Sequence, residues 1–400
     1  MNENTNILFL RSNFHFWLLL AIVASTLLSW LNINSCLIIL LVGCRLFHGR
    51  RPFVAIRTAF SNPWFLAFFS IFVVEATGLF HTHDLYTAWK HVESKATLVA
   101  IPFVFCAGPF ADKACWRRFL SACCMMLMAL CLYCLVVAGV RYGQTHDPAV
   151  FFYHDLTAVL SVNAVFFSGF VLMAQLFLLS VANSGWLRIA LLIFFTGIMI
   201  LLASKLLLAM LVLVYLVYMV VRYRVRTGRR QFQGLMALVV VVTGALAFTR
   251  NPVGDRYQDI VEHRINGISL RLFIWHSAGE ILDEEHAWAF GISPGDSQDL
   301  LDGKYLEAGM SKGYLSYNFH NEYLEVLAHS GVFGLLLLLA AFGYLTVLIY
   351  RAGTLEGWFA WTTVLLLALT ESTFETQHSL FLSCFFPLLM CYHSKKFTPS

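Results

Sequence analysis

The sequence predicts an all-α, polytopic membrane protein of about twelve transmembrane helices, and three observations predict it. Of 400 residues, 59% are hydrophobic and only 12% charged, against roughly a quarter charged in an ordinary soluble domain. That leaves too little polar surface to cover a water-soluble globule. Apolar runs long enough to cross a hydrocarbon core about 30 Å thick recur from the first line of the sequence to the last. Backbone in lipid must satisfy its own polar groups, so these runs are read as helices. Finally, the basic residues gather in alternate connections between the runs, as the two sides of a membrane require.

In chain order the runs lie near 14–31, 35–48, 61–80, 96–111, 117–140, 156–181, 186–204, 206–221, 233–249, 328–350, 355–371 and 377–393. The first run lacks a small-residue cleavage site, so it reads as a retained span and not as a signal peptide. The chain then divides into three regions: an N-terminal bundle of nine spans over 1–249, a hydrophilic segment over 250–327, and three further spans with a short tail over 328–400. Basic residues concentrate in alternate connections at Arg45, Arg50, Arg51 and Arg57; Lys113, Arg117 and Arg118; Arg222, Arg224, Arg226, Arg229 and Arg230; Arg351; and Lys395 and Lys396. By the positive-inside rule those connections are cytoplasmic. Both termini then face the cytoplasm, and the segment 250–327 faces outward.

The ten cysteines, at 36, 44, 106, 115, 123, 124, 131, 134, 384 and 391, lie in or beside the apolar runs. They form neither a disulfide framework nor a spaced metal set, and they read as small apolar packing residues. No metal site and no cofactor is expected. The formal net charge of +4 is modest and gives no argument for nucleic acid.

Ionisable groups near hydrocarbon are costly and therefore informative. Lys205, Arg256, Arg264, Arg271, His276, His320 and Glu371 all fall on or near the predicted outer face. Within the outer segment, SLRLFIWHSAGEIL from Ser269 to Leu282 places Leu270, Phe273, Ile274, Ala278 and Ile281 near the period of an amphipathic helix. Gly291 to Asp296 is a turn by composition, with Asp296 a cap for the residues after it. FHNEYLEVL from Phe319 to Leu327 puts His320 and Asn321 near the start of a helix at the membrane boundary. Plainer readings stand beside these. Arg271 alone is a snorkelling interfacial arginine, and His320 alone a structural histidine. Asp296, Asp299 and Asp302 are a solvated turn, and Glu75 a satisfied contact between helices.

The ordered series formed by Ser204-Lys205, Arg271-Leu-Phe-Ile-Trp275 with Ala278 and Ile281, Gly291 with Gly295-Asp296, His320-Asn321-Glu-Tyr323-Leu324 with Gly331 and Gly334, and Thr370-Glu371-Ser372 resembles the O-antigen ligase and O-antigen polymerase superfamily. The resemblance implies a GT-C-like architecture in the bacterial inner membrane, with the active site facing the periplasm. It implies metal-independent glycosyl transfer from an undecaprenyl diphosphate-linked glycan donor. The acceptor is lipid A-core oligosaccharide in a ligase, a second lipid-linked repeat in a polymerase, and a protein hydroxyl in an oligosaccharyltransferase. The ligase reading ranks first, and a lipid-linked glycan transporter is the reading from another class. His320 and Arg271 take the catalytic roles, and Lys205, Asn321, Glu371, Arg264 and Arg256 the substrate-binding ones, with membrane lipids as the other partner. Lys205 departs from the family's arginine, replacing a planar phosphate fork with a flexible point charge.

The topology makes a direct prediction: in a cysteine-free background, probes placed at Gly303 and Gly228 label from opposite sides of the membrane, Gly303 from the periplasm. Labelling of both from one side refutes the orientation.

Overall fold

The computed structural model describes residues 9–48, 51–181, 185–223, 267–310 and 312–392. The predicted span near 233–249, Arg256 and Arg264 lie outside the described residues. Within them every regular element is helical. In order these are α1 Asn13–Leu27, α2 Leu31–Phe47, α3 Pro52–Phe60, α4 Pro63–Thr77, α5 Leu85–Ser94, α6 Thr97–Cys106, α7 Lys113–Thr145, α8 Tyr153–Thr157, α9 Ala164–Ser180, α10 Trp186–Leu202, α11 Lys205–Tyr223, α12 Gly267–Glu284, α13 Ser297–Glu307, α14 Glu322–Ala352, α15 Leu355–Ala368 and α16 Gln377–Cys391.

Among the described residues the apolar runs become helices close to where the sequence places them, but their lengths differ from a uniform set of spans. Three helices among the described residues are long and apolar enough to cross a membrane: α4 with the 3-10 turn that extends it to Phe80, α7, and α14. Two bent pairs raise the number to as many as five. Others, including α1, α10 and α16, are apolar but only 15 to 17 residues long. At 1.5 Å per residue each falls short of a core about 30 Å thick. The run predicted as one helix over 156–181 is broken, with its two parts bent by 84°. Ser161 sits in left-handed conformation, and the side chain of Asn163 accepts a hydrogen bond from the Val165 amide, which starts α9 afresh.

The described residues form two compact units, each discontinuous in sequence. One draws on Phe16–Asn34 and Lys113–Arg264. There, Gln175 of α9 accepts hydrogen bonds from Thr196 of α10 and Tyr215 of α11, so three apolar helices share one buried polar contact. Ala203, left-handed at φ +48°, closes α10, and Lys205 opens α11 two residues later.

The other unit draws on Met1–His15, Ser35–Asp112 and Ile265–Ser400, and its frame is the packing of α14 against α4. α14 is interrupted at Gly331, where φ is +64° and ψ −167°. Breaking a helix frees backbone groups that must find partners, and the turn after α12 supplies them. The Ile292 amide donates to the Ala328 carbonyl at 2.7 Å, and the Val332 amide donates to the Trp288 carbonyl at 2.8 Å. The approach is so close that a Cβ on Gly291 would strike the backbone at His329 and Ser330, and one on Gly331 would strike Ala289. Two glycines are therefore required at this crossing.

Asp296 occupies the N-cap position of α13, as the turn composition predicts, but its side chain makes no cap hydrogen bond. It reaches across to the loop before α5, accepting from the amides of His83 at 2.9 Å and Asp84 at 3.2 Å and from the hydroxyls of Ser293 at 2.6 Å and Thr82 at 3.2 Å. Asp302 accepts from Gln298 and from the Ser316 amide. The reading of these acids as a solvated turn is thereby corrected: backbone donors unpaired by regular structure recruited two of the three, while Asp299 is exposed. Burial pushes the Asp296 carboxyl up, but the Ser293 hydroxyl and the His83 and Asp84 amides outweigh it and hold the group below the usual carboxylate range.

A depressed folded-state value means the contribution is present above the ordinary value of 3.8 and is lost as pH falls through the folded value. Asp296→Asn should thus lower thermal stability in detergent at pH 7 by about 1–3 kcal/mol, and the gap from wild type should narrow below pH 3.8. An unfolding midpoint for the variant equal to wild type at pH 7 shows that the tether contributes nothing.

Candidate active site

α12 buries Ile274, Ala278 and Ile281 against Leu301 and Tyr305 of α13, Phe319 and Ala328. Leu270 and Phe273 pack at the edge of this cluster, which is the apolar face that the helical period predicts. Trp275 donates from its indole Nε1 to the Phe319 carbonyl at 3.2 Å, fastening α12 beside the turn that carries His320. His320 has left-handed backbone, φ +49°, a conformation costly for a residue with a Cβ. Its amide donates to the Asn318 side chain at 3.1 Å. Immediately after it, Asn321 caps α14: Oδ1 accepts from the Tyr323 and Leu324 amides, and Nδ2 donates to the Leu369 carbonyl at 3.2 Å. Both ends of the Asn321 side chain therefore position backbone.

Glu371, in the connection after α15, is what unites the site. Its Oε1 lies 2.6 Å from Arg271 Nη2, and its Oε2 lies 3.3 Å from His320 Nδ1. The carboxylate is 8% exposed, whereas the arginine and histidine side chains are 27% and 25% exposed. A buried anion thus presents a guanidinium and an imidazole together on its more open side. With a carboxylate facing Nδ1, the proton belongs on that nitrogen, and Nε2 carries the lone pair. The Tyr317 ring meets the imidazole edge-on at 5.6 Å between centroids.

Behind the site the chain Glu371-Ser-Thr-Phe-Glu375 enters a buried polar network. Ser372 donates to Glu325 Oε2 at 2.6 Å, and the Phe374 amide donates to Glu322 Oε2 at 2.8 Å. Glu375 Oε1 lies 2.8 Å from Lys95 Nζ, which is itself 2.6 Å from Glu75 Oε2. The Lys95 side chain is 0% exposed. Burial alone would lower its pKa, but the carboxylates of Glu375 and Glu75 prevail and raise it, so the ammonium stays charged.

Arg271, His320 and Glu371, three of the predicted site residues, are thus brought together. The Arg271–Glu371 pair anchors a group otherwise readable as a snorkelling arginine. Lys205 belongs to the other unit, at the first position of α11, where it is partly buried. His276 is exposed and faces Glu280 at 3.3 Å. A cleft of about 450 Å³ lined by His81, His83, Glu285, Gly291, Asp296 and Asp299 among others contains none of the three.

The contact expected of Glu75 is present, in its pairing with Lys95. The wider network did not emerge from the sequence, although a signal existed. Glu322, Glu325 and His329 recur at i, i+3 and i+7, and His91 and Lys95 at i and i+4, spacings that put ionisable groups on one helical face.

No curated protein matches this chain. Residues 168–339 match the family described as O-antigen ligase. The match takes in Lys205, Arg271 and His320, and it ends before Glu371. Over those residues, somewhat less than half of the chain, the protein is similar to the O-antigen ligase family.

Proposed function

We propose that this protein moves a glycan from an undecaprenyl diphosphate carrier to lipid A-core oligosaccharide at the periplasmic face of the bacterial inner membrane. The observation that carries the reading is the single carboxylate, Glu371, holding Arg271 and His320 side by side. The twelve-span, GT-C-like topology with cytoplasmic termini belongs to the same proposal, since it sets 250–327 and Glu371 on the side where lipid-linked glycans are transferred.

In the reaction the acceptor hydroxyl oxygen attacks the anomeric carbon, its bond to the diphosphate oxygen breaks, and the hydroxyl proton passes to His320 Nε2. Glu371 keeps the other ring nitrogen protonated and fixes the ring plane. The departing diphosphate gathers negative charge, and a prepositioned cation lowers the barrier most where that charge develops. Arg271 supplies the cation, oriented by its ion pair, and the family resemblance makes Lys205 a further candidate for phosphate binding. Asn321 is a positioning residue, because its amide ties the start of α14 to the end of α15 beside Glu371. These groups divide the labour among side chains, and the reaction as written needs no metal. Replacing lipid A-core by a second lipid-linked repeat or a protein hydroxyl leaves the same chemistry and describes a polymerase or an oligosaccharyltransferase.

The test is glycan transfer by purified protein in detergent, where no second compartment exists for a transporter to serve, with lipid A-core and a second lipid-linked repeat offered together. His320→Ala should lower transfer by about 10²- to 10⁴-fold while sparing donor binding. Arg271→Ala should lower both, and Glu371→Gln should lower transfer by about tenfold or more, since it weakens the hold on both groups. Near-normal transfer by His320→Ala at matched abundance overturns the assignment, and product identity chooses between ligase and polymerase.

Lys205 is tested separately. Lys205→Arg should retain or raise transfer, and Lys205→Ala should lose a charge-assisted contact of about 1.5–3 kcal/mol. Wild-type activity in Lys205→Ala removes it from the site.

A further inference from the structure

We propose that Glu75, His91 and His329 form a buried site for a divalent metal ion of the zinc class, separate from the Arg271–His320–Glu371 centre. One ligand-capable atom from each residue lies within 4.8 Å of the others. Three elements converge to bring them there: α4 carries Glu75, α5 carries His91 and α14 carries His329.

Each of the three residues also holds one buried polar atom that makes no hydrogen bond among the described residues: Glu75 Oε1, His91 Nε2 and His329 Nδ1. A buried polar atom without a hydrogen-bond partner is costly, and one such atom on each member of a cluster this tight, with His91 Nε2 only 3.7 Å from Glu75 Oε2, favours a shared cation. Their opposite ends are all engaged. Glu75 Oε2 is taken by Lys95 at 2.6 Å, His91 Nδ1 faces Glu375 Oε2 at 3.5 Å, and His329 Nε2 faces Glu325 Oε1 at 3.4 Å. A carboxylate behind each imidazole is the arrangement that fixes the tautomer and turns the other ring nitrogen's lone pair toward a metal.

Two imidazoles and one carboxylate are an N2O donor set suited to zinc, with a fourth position for water. Zinc–nitrogen bonds of about 2.0–2.1 Å require the ligands to draw closer than 4.8 Å, a shift of roughly 1 Å. Charge favours the same occupant. Glu75 and Glu375 are two carboxylates against one ammonium, Lys95, and buried charges are paired or coordinate metals. The ion would pin α4, α5 and α14 together, and the proposal stands whether or not the protein transfers glycans.

The experiment uses full-length protein with a non-histidine tag, purified in detergent, incubated with zinc, desalted and assayed by mass spectrometry, with cobalt loading read by visible absorption. About one zinc per chain and cobalt bands of a tetrahedral N/O site are expected. His91→Gln and Glu75→Gln should each weaken zinc binding at least tenfold, Glu325→Gln should weaken it about 10- to 100-fold through His329, and exposed His276→Gln should retain it in full. Wild-type protein that holds no zinc overturns the proposal without reference to any variant's folding. So does full retention by a folded His91→Gln protein, or equal loss in His276→Gln.

Discussion

The unit that carries the candidate site depends on one interaction, the ammonium of Lys95 between the carboxylates of Glu75 and Glu375. An unpaired charge at this depth would cost several kcal/mol, so the three residues must arrive together. Each sits on a different part of the chain: Glu75 on α4, Lys95 just after α5, Glu375 just before α16. Their pairing fixes the connection from Glu371 to Glu375, because that short stretch cannot satisfy Glu375 at one end without setting Glu371 at the other. The candidate centre is thus positioned by a charge that is itself fully buried.

A second constraint acts through backbone. The break in α14 at Gly331 exposes groups that the turn from Trp288 to Ile292 satisfies, and the same turn leads through Ser293 and Asp296 to the loop before α5. One crossing therefore links α12, α14 and α5. The left-handed turn at His320 and the Asn321 cap complete the path from α13 into α14. Rigid elements surround the imidazole on all these sides, which suits a group whose work depends on ring orientation.

Glu371 joins the two constraints. A carboxylate that partners both an arginine and a histidine couples the position of the guanidinium to that of the imidazole, and so the two roles proposed for them. The geometry makes the two roles interdependent, even though the residues lie about 50 and 100 positions from Glu371 along the chain.

The sequence by itself determined what depends on local pattern and solvent. Apolar runs became helices because backbone in hydrocarbon has no other outlet for its hydrogen bonds, and the 3.6-residue period of 269–282 fixed which face of α12 is buried. Arg271, His320 and Glu371 stood out as charges near an apolar boundary. Only the tertiary structure decided which of them meet, since the Glu371 carboxylate reaches residues far away in sequence. It likewise decided that Asp296 serves the loop at 82–84 and not its own helix, because the Ser293, His83 and Asp84 donors are brought to it by packing. The network around Lys95 belongs to the same class: its members look like isolated charges in a linear string, and they become partners only where the cost of burying them singly forces the helices together.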